Sequence, residues 1–339
     1  MSLKAEIVKW KGEDVIRLSA GTYTATIAPF LGSNVMRMQD SATGIDFFRN
    51  DESREPKDMH QYSETWGLPT LYLHNRLKDG VLKCSDYTYH FPINEPDYGN
   101  YIHGFLHLRT HEIVSAEVVG NTAVAKTGYT YDEKDPMFTV FPVKFRADFT
   151  FTLGEDGLHY AFTMTNLSED RQLPFGMCNH TSFKAPFVDD SEDMNIRLYL
   201  PIGDKWELDK NFLPTLDMIP HGNHDRQYMT GCLIPVKQVI DNDIYNTVVG
   251  DLEGVPFRGA LMVDIKKKVD IIYEICDDFK FWCVWNEWGL KDYFCVEPMT
   301  WMINAPNLPL PGEESGYTEI APGESKTVTE RIYARKSVM

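Results

Sequence analysis

Residues 145–153 read FRADFTFTL, so that apolar and polar side chains alternate without exception. A period of two is that of a β-strand with one buried face and one face in water. The turn sequence GEDG follows at residues 154–157, and residues 158–165 continue the pattern. Two such segments joined by a short glycine-containing turn predict a β-hairpin, and the hairpin indicates a β-rich fold.

Similar short strands are predicted along the rest of the chain. They are rich in β-branched and aromatic residues, they are separated by turn residues, and long segments with helical periodicity are almost absent. The predicted strands are residues 22–28, 87–93, 113–119, 195–200, 260–265 and 269–275, and the first of them is terminated by Pro29. No composition break marks a linker. The sequence therefore predicts an all-β protein, a large antiparallel β-sandwich forming a single domain over residues 1–339.

Composition narrows the classes of partner. Of the 339 residues, 43% are hydrophobic, which is enough to form a large buried core. The net charge of −17 disfavours binding to nucleic acid and to anionic membrane surfaces. No apolar run approaches the length of a membrane span. The six cysteines form no C-x-x-C pair and no regular framework, so reduced thiols in a cytoplasmic protein are expected. The oligomeric state is not encoded in any pattern we recognise.

Glu297 is a charged residue in the segment VEPMT (residues 296–300), which is surrounded in sequence by aromatic residues. These are Trp282, Trp285, Trp288, Tyr293, Phe294 and Trp301. Charged side chains in such surroundings have a partner or a function. Two interpretations compete. The carboxylate either accepts backbone N–H groups at a turn, or acts as a general base in a pocket.

Three further segments place polar side chains beside apolar runs. Asn75 and Arg76 follow the apolar residues 67–73, His103 lies in IHGF at residues 102–105, and His180 lies in HTSF at residues 180–183. Gly104 allows close approach of the backbone next to His103. Taken singly, Arg76 is as easily an anchor for loops, and each histidine is more commonly a buried residue bonded to a carbonyl.

Their order along the chain is more specific than any one of them. The segments that carry the pattern are NRLKDG (75–80), IHGF (102–105), HTSF (180–183), EPMT (297–300), NAPN (304–307) and PGES (322–325). In this order they resemble the aldose 1-epimerase, or galactose mutarotase, family. The resemblance extends from about Gly32 to Ser325, and it implies a large β-sandwich of the galactose-mutarotase type (a supersandwich).

The resemblance also implies roles for individual residues. His180 matches the general acid of the family and Glu297 matches its general base. Arg76 and His103 match substrate-binding positions, and Asn75 belongs to the same motif as Arg76. A carboxylate that binds sugar hydroxyls is expected in residues 239–245, where Asp241 is favoured and Asp243 is the alternative.

These groups suit the interconversion of the α and β anomers of a hexose. Opening the ring requires a proton to leave the O1 hydroxyl and another to reach the ring oxygen O5, so a base and an acid must lie beside adjacent oxygens. The nearby carboxylate is expected to raise the pKa of the imidazole. A small sugar is the expected partner, and the chemistry requires no metal, nucleotide or other cofactor.

Two alternatives remain open from the sequence. The Pro and Tyr that usually follow the catalytic histidine in this family are absent here, which would suit a sugar-binding or sugar-sensing protein that has lost turnover. The second alternative is a glycoside hydrolase or polysaccharide lyase built on a similar β-sandwich. Hydrolases need two carboxylates flanking the scissile bond, whereas the motifs supply one, Glu297. The identity of the sugar, including phosphorylated or sulfonated forms, is not specified.

Overall fold

The computed structural model describes residues 2–337 and consists mainly of antiparallel strands. The ends of the predicted domain, residues 1 and 338–339, lie outside the described residues. The strands are β1 (Lys4–Trp10), β2 (Glu13–Ala20), β3 (Tyr23–Ala28), β4 (Asn34–Asp40), β5 (Ile45–Asp46), β6 (Thr70–Tyr72), β7 (Arg76–Lys78), β8 (Val81–Lys83), β9 (Thr88–His90), β10 (Asn100–Ile102), β11 (Glu112–Val119), β12 (Thr122–Tyr131), β13 (Phe145–Gly154), β14 (Gly157–Asn166), β15 (Leu173–Pro174), β16 (Met177–Asn179), β17 (Thr181–Lys184), β18 (Ile196–Tyr199), β19 (Ile202–Leu208), β20 (Pro214–Ile219), β21 (Asp243–Thr247), β22 (Gly250–Leu252), β23 (Val255–Phe257), β24 (Gly259–Asp264), β25 (Val269–Ile275), β26 (Phe281–Trp285), β27 (Tyr293–Met299), β28 (Glu319–Ile320) and β29 (Ser325–Lys336).

Helices are few and short. The α-helices are α1 (Pro56–Met59), α2 (Asn223–Thr230) and α3 (Gly312–Ser315), and single 3-10 turns occur at Pro29–Leu31, Ser63–Thr65, Leu106–Leu108, Asp193–Asn195 and Ala305–Asn307. Within residues 2–337, none of these helices is long and apolar enough to cross a membrane.

Most strands of the described chain belong to two large antiparallel sheets. The back sheet has the order β11-β12-β13-β14-β29-β25-β24-β18. The cleft sheet has the order β20-β19-β21-β26-β27-β16-β6, and β17 also pairs with β27. Strands β1 to β5 form a further sheet in sequence order. Apolar side chains from all three sheets share one buried core, so the predicted all-β sandwich is confirmed.

The hairpin predicted from residues 145–165 lies inside the back sheet, as its third and fourth strands. Strands β13 and β14 pair from Phe145 opposite Asn166 to Gly154 opposite Gly157, with Glu155 and Asp156 in the turn. The apolar set of β13 faces the core: Phe145, Ala147, Phe149, Phe151 and Leu153 are all at most 1% exposed. The period of two therefore located both the strand and its buried face.

The other predicted strands match observed strands to within one residue at each end, with one exception. The strand predicted at residues 87–93 is reduced to β9, Thr88–His90. Pro92 has no N–H to donate to a partner strand, and it follows shortly after the observed end. The β-branched and aromatic composition of this segment predicted its type but overestimated its length.

A set of hydrogen-bonded polar side chains, here called the polar seam, joins the two large sheets inside the core. Glu330 of β29 accepts hydrogen bonds at Oε2 from Asn179 Nδ2 (2.7 Å) and from the Tyr273 hydroxyl (2.8 Å). Burial raises the pKa of Glu330 to about 8, so the carboxyl is held neutral near neutral pH. The members of the seam are Thr70, Asn179 and Thr181 from the cleft sheet and Tyr160, Tyr273 and Glu330 from the back sheet.

Candidate active site

The register of the cleft sheet places His180 opposite Glu297. Cys178 of β16 pairs with Met299 and Thr181 of β17 pairs with Val296, so both strands follow the same register along β27, and His180 lies between them at the level of Glu297. Side chains directly opposite each other in an antiparallel pair project from the same face. Nε2 of His180 lies 3.3 Å from Oε1 of Glu297. The ladder thus brings together the two side chains that the sequence predicted as acid and base.

Alternation along the strand separates His180 from its neighbours. Asn179 and Thr181 point to the polar seam on the core side, whereas His180 points to the opposite face. His180 is 5% exposed and Glu297 is 2% exposed. The pair is therefore almost removed from water, and the two residues that flank His180 are held on the core side by hydrogen bonds.

The alternative interpretation of Glu297, a turn carboxylate that accepts backbone N–H groups, does not fit the structure. Glu297 lies in the middle of β27, opposite Cys283 of β26. Besides the imidazole, two thiols approach the carboxylate: Cys178 Sγ lies 4.0 Å from Oε2, and the Cys283 side chain donates a hydrogen bond to it. Within residues 2–337 no backbone N–H donates to this carboxylate. The carboxylate is directed at the imidazole of His180.

Burial controls the protonation of the pair. It raises the pKa of Glu297 to about 8, against the opposing charge of Arg76, and it lowers the pKa of His180 to about 4. The expectation that the carboxylate raises the pKa of the imidazole was therefore wrong, because loss of hydration dominates when both groups are buried. Between these values the pair holds a single proton, which belongs to the pair as a whole.

Arg76 is fixed before any ligand arrives. Its Nε and Nη2 donate to both oxygens of Glu95 at 2.8 to 3.1 Å. The remaining nitrogen, Nη1, points towards the side-chain oxygens of Asn75 (3.5 Å) and Asn242 (3.4 Å), and the guanidinium lies over the ring of Phe212. A bidentate pair of this kind sets both the position and the plane of the guanidinium.

Asn75 and His103 both adopt a left-handed backbone conformation, with φ of 51° and 64°. Such values are uncommon outside glycine and are concentrated at functional sites. The His103 N–H donates to the Asn75 carbonyl at 2.9 Å. Gly104 follows, where an added Cβ would lie 2.1 Å from the Tyr72 carbonyl oxygen. Close backbone packing, as predicted for this glycine, places His103 next to His180.

These side chains line one cleft with a volume of about 150 Å³. The His103 ring meets the His180 ring edge-on at 5.5 Å, and Trp285 approaches His180 at 6.0 Å. Burial and the proximity of His180 and Arg76 lower the pKa of His103 well below its usual value. The lining residues are Glu64, Thr65, Asn75, Arg76, Ile102, His103, His180, Asn242, Trp285 and Glu297.

Asp241 is not brought into this cleft. Its side chain is exposed and accepts a hydrogen bond from Asn242 Nδ2. The alternative, Asp243, is bonded to His224 (2.6 Å) and lies 3.3 Å from Lys205. Asn242, between them, has a φ of 58° and is the residue that lines the cleft. The predicted segment reaches the site, but it presents an amide there and no carboxylate.

Sequence reasoning missed several residues of the site. Glu64 and Thr65 lie in a turn without any periodic pattern, and Glu95 is far in sequence from the arginine that it binds. Trp285 was recognised only as one of several aromatic residues near Glu297. Its near neighbours Trp282 and Trp301 are fully buried in the core, and alternation along β26 is the signal that separates Trp285 from Trp282.

One group of possible metal ligands overlaps the site. Within the described residues, ligand atoms of His180, Cys295 and Glu297 lie within 4.8 Å of one another. The Cys295 thiol lies 3.3 Å from the Ser182 hydroxyl. Burial raises the pKa of this thiol well above its usual value, whereas metals bind the thiolate. In this environment the histidine and glutamate are better suited to exchange protons.

The fold is that of a galactose-mutarotase type of β-sandwich, as solved relatives show. A galactose mutarotase-like protein from Clostridium acetobutylicum is 30% identical, with a TM-score of 0.95 and coverage of 99% of both chains. Galactose 1-epimerase from Lactobacillus acidophilus is 15% identical, with a TM-score of 0.72 over 99% of this chain and 100% of that one. An aldose epimerase homologue from C. elegans has a TM-score of 0.72 at 15% identity, over 95% of this chain and 99% of that one.

Residues 8–333 match the family described as aldose 1-epimerase. The chain therefore belongs to the aldose 1-epimerase family, as the ordered motifs predicted. Membership supports an isomerase-type activity on sugars in general, with a small sugar as the substrate. The two relatives at 15% identity support the fold alone.

Proposed function

We propose that this protein is an aldose 1-epimerase that interconverts the α and β anomers of a free hexose through the acid–base pair His180 and Glu297. The observation that carries the proposal is the 3.3 Å separation of Nε2 and Oε1 at the wall of a polar cleft. Two proton-transfer groups at this separation can reach the two adjacent oxygens on C1 of a pyranose.

The reaction starts from the form of the pair in which Glu297 is a carboxylate and His180 an imidazolium. Glu297 takes the proton of the O1 hydroxyl, and the imidazolium donates its proton to O5. The C1–O5 bond breaks while C1 and O1 become an aldehyde. Rotation about the C1–C2 bond and reversal of both transfers close the ring on the other face of C1. No proton is gained or lost overall.

Burial favours one of the two proton arrangements used in this cycle. Once the ring is open, Glu297 carries the proton and His180 is neutral. The raised pKa of Glu297 and the lowered pKa of His180 favour that same neutral arrangement. The neutral arrangement is therefore the resting form of the pair, and the ionised arrangement that begins ring opening is the less stable of the two.

The remaining polar residues hold the sugar. Glu95 fixes Arg76 so that its Nη1 is available to the cleft. His103, Asn75 and Asn242 also line the cleft. These groups retain the open aldehyde close to its ring-closing position, so that the intermediate closes before it diffuses away. Trp285 supplies a flat apolar face next to His180. Asp241 has no part in this arrangement, because its side chain is exposed.

The test is polarimetry of freshly dissolved α-glucose and α-galactose, measured against the spontaneous rate. Glu297→Gln removes the base and keeps the shape of the side chain, and we expect a loss of about 10²- to 10⁴-fold in the catalysed rate. Circular dichroism and thermal unfolding establish that the variant is folded. A Glu297→Gln protein as fast as the wild type would remove Glu297 from the mechanism. Sugar binding by wild type without acceleration would instead indicate a binding protein.

A further inference from the structure

Glu64 is a carboxylate in the cleft that nothing in the protein neutralises. It lies in the Ser63–Thr65 turn, it is partly buried, and it lines the cleft together with the acid–base pair. Within residues 2–337 its carboxyl accepts a hydrogen bond from its own backbone N–H and has no side-chain donor or ion-pair partner. Glu95 and Glu330, two other carboxyls in this part of the molecule, both have partners.

Glu64 is one of the residues that line the cleft. Burial in these surroundings raises the pKa of its carboxyl. Its charge also contributes to the raised pKa of the Cys295 thiol, which lies among the ligand atoms of His180 and Glu297. A carboxylate with two oxygens and a single backbone donor still has free acceptor positions, and hydroxyl groups of a bound sugar would fill them.

The other charges of the cleft do not favour an anion. Arg76 is the one cationic side chain among the lining residues, and two of its three nitrogens already bind Glu95. His103 and His180 both have lowered pKa values and are neutral at pH 7. Arg76 is already paired with Glu95, so no cation among the lining residues is left to balance an anionic substituent, and Glu64 adds a carboxyl to the same cleft.

We propose that Glu64 is a substrate-binding residue that accepts hydrogen bonds from the hydroxyl groups of an uncharged aldose and excludes phosphorylated, sulfonated and uronic-acid sugars. This inference rests on the proposed function and extends it, because it names the class of sugar. A carboxylate that accepts from hydroxyls strengthens binding of a neutral sugar, and the same charge repels an anionic one.

The experiment compares Glu64→Gln with wild type on glucose and on glucuronate, which differ at C6. Removing the charge should raise KM for glucose about tenfold. This change corresponds to about 1.4 kcal/mol, which is typical of the loss of one charge-assisted hydrogen bond. The turnover number for glucose should stay near that of wild type, because the acid–base pair is intact. The ratio of kcat/KM for glucuronate to that for glucose should rise by at least the same factor.

Glu55→Gln is the matched control. Glu55 lies on the same segment, it is exposed, and it forms only a surface pair with Lys11 at 3.2 Å. We expect this variant to keep the KM and the sugar preference of wild type. Thermal unfolding of both variants separates an effect on binding from an effect on folding.

The outcomes are distinguishable. A wild-type protein that accelerates mutarotation of no aldose would overturn the proposed function itself. An active wild type with a Glu64→Gln variant of unchanged KM and unchanged sugar preference would overturn the role of Glu64 alone. A wild type that turns over glucose 6-phosphate or glucuronate as efficiently as glucose would contradict the exclusion of anions.

Discussion

Nε2 of His180 lies 3.3 Å from Oε1 of Glu297, and His180 lies between β16 and β17, the two strands that pair in one register with the strand of Glu297. Their pKa values are displaced in opposite directions by burial, to about 4 for the imidazole and about 8 for the carboxyl. The pair therefore keeps one proton over a wide range of pH, and either group can carry it.

The first prediction is a bell-shaped pH profile of kcat/KM. The rate should fall below about pH 4, where the pair takes up a second proton and has no base, and above about pH 8, where it loses its only proton and has no acid. Polarimetry across this range, with the buffer-catalysed rate subtracted, provides the profile. A single inflection near about pH 6.5, the ordinary value of a free histidine, would contradict the assignment.

The second prediction concerns Arg76→Lys. A lysine ammonium cannot reproduce the two parallel hydrogen bonds to Glu95, so the positive charge would no longer be fixed at the cleft. We expect KM to rise about tenfold or more, which corresponds to the loss of a charge-assisted hydrogen bond. Steady-state kinetics on the preferred aldose measures it.

Arg109→Lys is the control for that substitution. Arg109 makes the same kind of fork with Asp135, at 2.6 and 3.0 Å, and does not line the cleft. Its replacement should lower the free energy of unfolding and leave KM unchanged. Equal effects of the two substitutions on KM would mean that Arg76 acts only through the stability of the fold.

The third prediction concerns Glu330 in the polar seam. Its pKa is raised from 4.5 to about 8 in the folded protein, so the folded state holds this proton more tightly than the unfolded chain does. The stabilisation is complete below pH 4.5 and is lost as the pH rises to about 8. Glu330→Gln should remove this part of the pH dependence and unfold at higher denaturant concentration than wild type at pH 9.

Denaturant unfolding at several pH values measures this difference, which is on the order of a few kcal/mol. Glu274→Gln is a suitable control, because Glu274 lies on the same sheet in a partly exposed ion pair with Arg331. Its pH dependence should match that of wild type. A Glu330→Gln protein with the wild-type dependence would show that Glu330 is ionised in the fold.

The fourth prediction is a steric one. A Cβ added at Gly176 would lie 2.1 to 2.3 Å from indole atoms of Trp301, which is fully buried and stacks on Tyr317. Gly176→Ala should lower the free energy of unfolding by about 1–3 kcal/mol, as overpacking does. Gly222→Ala, whose nearest atom would lie at 3.5 Å, should cost far less. Chemical denaturation of the two variants side by side is the measurement.

Sequence reasoning predicted the fold through local alternation, as residues 145–153 illustrate, since burial on one face repeats with the period of the strand. That the sheets form one domain stays a prediction. In the site, the motifs located His180, Glu297, Arg76, His103 and Asn75 at the cleft. Their roles in binding and catalysis stay predictions until the variants are assayed.

The remainder of the site depends on properties that a sequence does not display. Asp241 was favoured over its neighbours, but a left-handed residue at position 242 turns the chain so that an amide lines the cleft. Glu64 lies in an irregular turn that no periodicity marks. The direction of the His180 pKa shift depends on the loss of water around the pair, which only the packing of the sheets determines.

The pairing register between β17 and β27 has a consequence for how this protein could diversify. Strands in a ladder are held about 4.8 Å apart by backbone hydrogen bonds, so the separation of His180 and Glu297 is set by the strands on either side of His180. Glu64, in contrast, lies within a short turn, and Asn242 immediately precedes a strand in a left-handed conformation. If the proposed roles hold, we expect insertions or exchanges at these two positions to alter the sugar preference and to leave the proton chemistry intact, so loop grafting between relatives is a practical route to new sugar preferences.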